Sequence, residues 1–379
     1  MRIAIDANEA NVDKKVGISE YVYELLVHFA KNIPDDRSFQ IFLKNNPQKD
    51  FPSDKKGWHY KVFGPKKLWT QFALPWRLFT SKTKPDVFFS PAHYAPRISP
   101  VPTVISIMDL AFFHFPEYFT KKDLTQLHSW TRYSVKKAKA IITISQATKD
   151  DIIKLYRIPE ERIHVIYPGI KQTVTLTPHI YPMNELAAKF GISQNYLLFV
   201  GTLQPRKNIT RLIEAFALLR RKEAFASSNL QLVIVGKKGW NYEEILSSPE
   251  KFGVKDEVKF LDFVSNDDLA LLYQHAQLFA WPSLYEGFGL PVLEAMGHGC
   301  PVVTSNVSSL PEAGGEAALY VNPTDVVDIA DKLEKVLTDK KLRSSMIVKG
   351  KTHIMKFSWE KAAKETLTVL EQVAKNQQK

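Results

Sequence analysis

The segment PSLYEGFGLPVLEAMGHGCPVV, Pro282 to Val303, carries two carboxylates, Glu286 and Glu294, eight positions apart. Gly287 and Gly289 between them allow backbone to approach a ligand closely, and Pro291 suits the first turn of a helix. The loop at Glu286 is therefore expected to open into a helix that holds Glu294 one turn inside, with its N-terminus turned toward an anion. Two solvated glutamates on a surface loop would be the ordinary reading of such a pair. The glycines, the proline and the apolar strand LFAW just before them argue against it. A basic pair, Arg206 and Lys207 in GTLQPRKN, falls between the strand LLFVG and a helix expected to open at Asn208. Exposed Arg-Lys pairs are common, but charge between a strand and a capped helix is well placed to meet an anion.

These residues need a scaffold that gathers loops at one end of a sheet. Short apolar strands alternate with amphipathic helical patterns along the chain, the mark of parallel sheets built from βαβ units. One series runs from IAID (Ile3 to Asp6) through VFFS (Val87 to Ser90), VISI (Val104 to Ile107) and IITIS (Ile141 to Ser145) to HVIY (His164 to Tyr167). After a Thr- and Pro-containing stretch, a second begins at LLFVG (Leu197 to Gly201). It continues through LVIVG (Leu232 to Gly236), VKFL (Val258 to Leu261), LFAW (Leu278 to Trp281) and PVVTS (Pro301 to Ser305). Ile209, Leu212, Ile213 and Phe216 follow Asn208 at helical spacing, with Asn208 read as the N-cap. Ser265 is expected to cap another helix, and Ser358 to Lys375 reads as one amphipathic helix. The expected architecture is α/β, with doubly wound domains at 1–181 and 182–357 and a C-terminal helix, 358–379, packing back on the first. Ligands of such sheets bind at the carboxyl ends of the strands.

The Glu286 to Glu294 segment resembles the E-x7-E motif of retaining glycosyltransferases of family 4, whose GT-B fold has two facing Rossmann-like domains. GTLQPRKN, FVSNDDL (Phe263 to Leu269), SNVSSLPE (Ser305 to Glu312) and FSWEKAA (Phe357 to Ala363) extend the resemblance over nearly the whole chain. It implies transfer of a hexose from a nucleotide-sugar donor to a saccharide or lipid-linked acceptor in cell-surface polysaccharide or glycolipid synthesis. GDP-mannose is the first donor expected and a UDP-sugar the second. By the same resemblance Arg206 and Lys207 bind the diphosphate, whose β-phosphate oxygen gains negative charge as the glycosidic bond breaks. Glu294 would accept hydrogen bonds from both ribose hydroxyls, a task suited to two carboxylate oxygens. Glu286 would contact the donor sugar or stabilise an oxocarbenium-like ring, with the amides of Gly287, Phe288, Gly289 and Leu290 holding that sugar. Gly17, ahead of a helix bearing Val22, Leu25, Leu26 and Phe29, matches the family glycine near the donor phosphate.

The sequence departs from the family pattern in three places. Thr202 stands where many relatives carry Arg, which leaves that task to Arg206. The Gly17 loop lacks a second glycine. Met108 replaces the usual His before Asp109, so Asp109 inherits the contact to sugar as hydrogen-bond acceptor or base, with His93 as a nearby substitute. The resemblance implies front-face retention, the leaving phosphate taking the acceptor proton.

Composition narrows what else the chain could be. Its 379 residues, 45% hydrophobic and 24% charged, exclude a disordered or fibrous protein. No Asp-x-Asp and no Cys or His cluster at zinc spacing occurs, so catalysis is expected to need no metal and no other cofactor. The net charge of +11 invites nucleic acid or an anionic membrane as a partner. Residues 1–180 hold 27 basic and 17 acidic side chains against 24 and 23 in the rest, so the excess belongs to the acceptor half. Within it, residues 55–84 contain eight Lys or Arg, no Asp or Glu, and seven aromatic residues, as membrane-surface segments do. A helix at about Leu68 to Phe79 that packs its Trp and Phe face on the domain would account for part of the same pattern. No nucleic acid is expected, because a single-strand groove sets aromatic residues on strands beside the charge, and this stretch lies outside the strands read above. A single cysteine, Cys300, an opening MRIAIDA that reads as a strand, and the lack of any apolar run near 18 residues lead to an expected cytoplasmic location with at most peripheral membrane contact. The rival readings are a nucleotide-sugar epimerase or phosphorylase of the same fold, and a non-catalytic sugar- or nucleic-acid-binding protein.

Overall fold

The computed structural model describes residues 1–31, 33–170 and 183–376. The chain forms two compact units, Met1–Gly169 with Phe357–Lys379, and Ile170–Lys356. The expected boundary near 181 falls outside the described residues.

The first unit is a seven-stranded sheet in the order β3-β2-β1-β4-β5-β6-β7, every pairing parallel. Its strands are β1 (Arg2–Asp6), β2 (Ser38–Leu43), β3 (Trp58–Val62), β4 (Val87–Ser90), β5 (Thr103–Ile107), β6 (Ala140–Thr143) and β7 (Ile163–Val165). The second unit is a parallel six-stranded sheet in the order β10-β9-β8-β11-β12-β13. Its strands are β8 (Tyr196–Val200), β9 (Gln231–Val235), β10 (Val258–Leu261), β11 (Leu278–Trp281), β12 (Val302–Ser305) and β13 (Ala318–Val321). Each order runs outward one way and then the other, reversing between β1 and β4 and between β8 and β11. Loops leaving neighbouring strands on either side of a reversal diverge, and this opens the crevice in which such sheets bind ligands.

Three strands escaped the sequence reading, β2, β3 and β13. Interior parallel strands are covered on both faces and read as continuous apolar runs. β3 and β13 are edge strands that bury little of their side chains, and β2 is interrupted by Gln40. The presence of β3 also corrects the expectation that residues 55–84 lie outside strands: Trp58 is fully buried in the core. The C-terminal helix Trp359–Lys375 starts where Ser358 accepts the Lys361 amide and buries Trp359, Ala363 and Leu370 in the same core as β1 and the helix Ile18–Lys31.

One close approach fixes the strand ends beside the second reversal. A Cβ on Gly236, after β9, would lie 2.0 Å from the Gly201 carbonyl oxygen after β8. Gly236→Ala is expected to cost about 1–3 kcal/mol through forced backbone displacement, read as a lower midpoint of thermal unfolding.

Candidate active site

After β8 the chain makes a single tight turn, Pro205–Lys207, and passes Asn208 in the left-handed region (φ 59°) before the helix Ile209–Arg221. Asn tolerates that conformation better than most residues. It does not cap the helix as expected. Its side-chain amide donates to the carbonyls of Pro282 (2.9 Å) and Pro323 (2.6 Å), tying this turn to the loop that follows β11. The Arg206 carbonyl strengthens the tie, accepting from the Leu284 amide (2.9 Å).

These ties bring the acid and the bases together. Lys207 Nζ lies 2.6 Å from Glu286 Oε1, and an Arg206 guanidinium nitrogen lies 3.1 Å from Glu286 Oε2. Ser283 donates to Glu286 Oε1 at 2.5 Å, Arg206 also donates to the Tyr285 carbonyl, and the Lys207 ammonium stands 4.5 Å from the centroid of the Trp281 ring. The sequence treats the basic pair and the acid as separate ligand contacts, whereas the structure joins all three in one ion cluster. The side chains are shielded, with Glu286 8%, Lys207 11% and Arg206 15% exposed. Burial alone would raise the Glu286 carboxyl, but the Arg206 and Lys207 charges and the hydrogen bonds from Lys207 and Ser283 outweigh it and hold the group below its ordinary range. Glu286 is thus a carboxylate at neutral pH, able to accept hydrogen bonds or stabilise positive charge but not to donate a proton.

Backbone contacts fix the same loop. The Glu286 amide donates to Ser308 Oγ (3.2 Å), and its carbonyl accepts from Ser308 (2.6 Å) and Ser309 (2.8 Å), while Ser309 also reaches the Phe288 carbonyl (2.9 Å). Phe288 is buried. Gly289 has φ 117°, and a Cβ there would come within 3.0 Å of Leu310, so glycine is required at 289, where the loop leads into the helix Leu290–Gly297. Glu294 sits one turn inside that helix and accepts from the Tyr273 hydroxyl at 3.2 Å. Burial and the Glu294 charge push that hydroxyl far above its usual range, so it stays a neutral donor.

In the first unit, Gly17 (φ 57°) precedes the helix Ile18–Lys31 and has open space where a Cβ would be. His93 and Asp109 follow β4 and β5, and His93 Nε2 lies 3.3 Å from the Asp109 carbonyl oxygen. One Asp109 carboxylate oxygen accepts the Ala111 amide at 3.0 Å, so it also anchors the start of the short helix Ala111–His114. Among the described residues, no group of three or more His, Cys, Asp or Glu is placed to hold a metal ion.

Residues 17–173 match the family model Glycosyltransferase Family 4, and residues 183–353 match Glycosyl transferases group 1. The O-antigen chain mannosyltransferase B of Escherichia coli is 33% identical over 270 residues, covering 70% of this chain and 68% of that protein. The chain is a glycosyltransferase of family 4. The serotype-specific mannosyltransferase WbdA of Escherichia coli is also 33% identical, over 231 residues and 60% of this chain, but the chain spans only 28% of it. The fold is GT-B: HepE of Anabaena, solved in complex with UDP-glucose, matches with a TM-score of 0.73 over 100% of this chain and 99% of that one, at 18% identity.

Several residues of this candidate site are not singled out in the sequence reading. Ser283, Ser308 and Ser309 hold the Glu286 loop, Tyr273 holds Glu294, and Trp281 faces Lys207. The run SNVSSLPE after β12 was a usable signal for the serines, but nothing in it shows that they reach a loop 22 residues upstream. Asp6 was missed as well. It closes β1, accepts from Asn8 (2.5 Å) and from the Trp69 indole (2.9 Å), and burial raises its carboxyl.

Proposed function

We propose that the transferase moves a hexose, with retention and without a metal, from a nucleotide-sugar to a saccharide or lipid-linked acceptor in the cytoplasmic assembly of a cell-surface polysaccharide or glycolipid. GDP-mannose is the first donor and a UDP-sugar the second. The observation that carries this reading is the cluster of Arg206, Lys207 and Glu286 at the reversal between β8 and β11. Two fixed cations there would neutralise the charge that grows on the departing β-phosphate oxygen. Glu286 would face the sugar, where an anion stabilises positive charge developing on the ring. Glu294, oriented by Tyr273, would accept from the ribose hydroxyls. The family resemblance likewise gives Gly17 a donor phosphate, and Asp109 with His93 a sugar, as the groups they would contact. The mannosyltransferase names of the relatives favour mannose, and HepE with UDP-glucose supports the second donor.

A panel of nucleotide-sugars, with release of nucleoside diphosphate read by mass spectrometry, tests the reading. GDP-mannose should be hydrolysed fastest, at a rate that EDTA leaves unchanged. No hydrolysis of any donor would favour a non-catalytic sugar binder, and loss of activity in EDTA would remove the metal-free mechanism. Glu294→Ala should weaken nucleoside diphosphate binding about tenfold or more in calorimetry, the value of a hydrogen bond to a charged group.

A further inference from the structure

The segment Leu68 to Lys84 has two apolar faces, and only one meets the protein. The helix begins with a wide turn, Trp69–Ala73, and continues as Leu74–Thr80. Trp69, Ala73, Leu74 and Leu78 pack in a core with Ala4, Phe42 and Phe88. The other face carries Leu68, Phe72, Trp76 and Phe79, which are 55%, 58%, 71% and 50% exposed. Phe72, Trp76 and Phe79, at i, i+4 and i+7, lie along one side of the helix, and Leu68 immediately precedes it. Internal packing therefore accounts for Trp58 and Trp69 but not for this row. Lys66, Lys67, Lys82 and Lys84 flank it, all exposed and in no ion pair among the described residues. Lys55 and Lys56 lie elsewhere, on the Ala30 carbonyl (2.6 Å) and beside Asp35 (2.9 Å), so the lysines that flank the row in sequence are Lys66, Lys67, Lys82 and Lys84.

From this juxtaposition we propose that the outer face of residues 68–80 docks the transferase on an anionic lipid surface, with the four aromatic and aliphatic side chains entering the interface and the lysines meeting headgroups. Aromatic rings favour the headgroup level, lysines hold their stems along apolar surface with the charge outward, and both add to interfacial binding. A second copy of the chain fits worse, because an isologous contact would bring two lysine rims against each other. The docked helix is not loosely attached: the Trp69 indole donates to Asp6 at the carboxyl end of β1 (2.9 Å), the strand whose loop leads to Gly17. Docking would thereby hold the ligand-facing end of this sheet at a lipid surface, and the acceptor class that fits is a lipid-linked saccharide. That last step rests on the glycosyltransfer reading, while the docking does not. No helix among the described residues is long and apolar enough to cross a membrane.

Flotation with phosphatidylglycerol vesicles, measured with no donor or acceptor present, tests the docking. The wild type should float with these vesicles at low salt and not with phosphatidylcholine vesicles. The Phe72→Ser/Trp76→Ser/Phe79→Ser variant, and separately a variant with the four lysines changed to Glu, should lose about a hundredfold or more in partitioning. Both replace exposed side chains, and retained hydrolysis of a soluble donor would report their folding. Failure of the wild type to float, or equal flotation of all three proteins, would overturn the proposal. So would a triple variant that changes only the oligomeric state, which would mean that a second copy covers the face. Absence of donor hydrolysis with normal flotation would count against glycosyl transfer alone.

Discussion

Lys207→Ala is expected to lower turnover at saturating donor by about 10²–10³-fold, the usual cost of removing one fixed group from a site where anionic charge develops. The effect should fall on kcat more than on KM, because the charge on the β-phosphate oxygen grows as the glycosidic bond lengthens and is smaller in the bound donor. The fold should tolerate the change. Arg206 remains 3.1 Å from Glu286, and Ser283 still donates to that carboxylate, so the buried acid keeps two of its partners. Lys207→Arg is the informative companion. It restores the charge, but a planar guanidinium does not reproduce a compact ammonium held between a carboxylate at 2.6 Å and the Trp281 ring, so partial recovery is expected. Initial-rate kinetics over a range of donor concentrations separate kcat from KM, and a wild-type kcat in Lys207→Ala would remove Lys207 from the chemistry.

The readable part of the site and the unreadable part differ in physical kind. A loop that leaves one strand and starts one helix has local signals: apolar strand, glycines, proline, amphipathic period. Through these, Arg206, Lys207, Glu286 and Glu294 could be placed on their elements from sequence, and Gly287 and Gly289 could be read as places where backbone can approach a ligand closely. What the sequence could not show is which loops share a reversal point. That depends on strand order, and strand order arises from non-local pairing. The salt bridges of Glu286, its bonds with Ser308 and Ser309 and the Tyr273 bond to Glu294 all cross between residues 21 or more apart. Asn208 shows how a sound local rule fails: the residue type is right for a cap, but a left-handed backbone and two distant carbonyls claim its side chain. The basic segment shows the converse. Composition identified it correctly as unusual, and only burial could divide its aromatic residues into those that build the core and those left outside.

Glu286→Gln is expected to move stability and nucleotide affinity in opposite directions. The substitution keeps the size of the side chain and one oxygen for Ser283, but it removes the counter-charge from two cations that are each less than a sixth exposed. Breaking a buried pair from one side costs about 3 kcal/mol or more, reduced here by the remaining solvent access of Arg206 and Lys207, and it should appear as a lower midpoint of thermal unfolding. The same two cations, no longer shared with a carboxylate, should bind GDP or inorganic pyrophosphate more tightly in calorimetry, while transfer falls because the anion facing the sugar is gone. The pH dependence follows from the direction of the shift. The folded Glu286 carboxyl is held below its ordinary value of 4.5, so its stabilising contribution is complete above that value and is lost as pH falls through the lower, folded one. Gln has nothing to titrate, and the stability gap between wild type and variant should therefore be constant near neutrality and close only in acid below pH 4.5. A gap that stayed open there would show that the Glu286 charge is not what stabilises the fold, and a variant that bound diphosphate less tightly than the wild type would show that Glu286 does not compete with the ligand for Arg206 and Lys207.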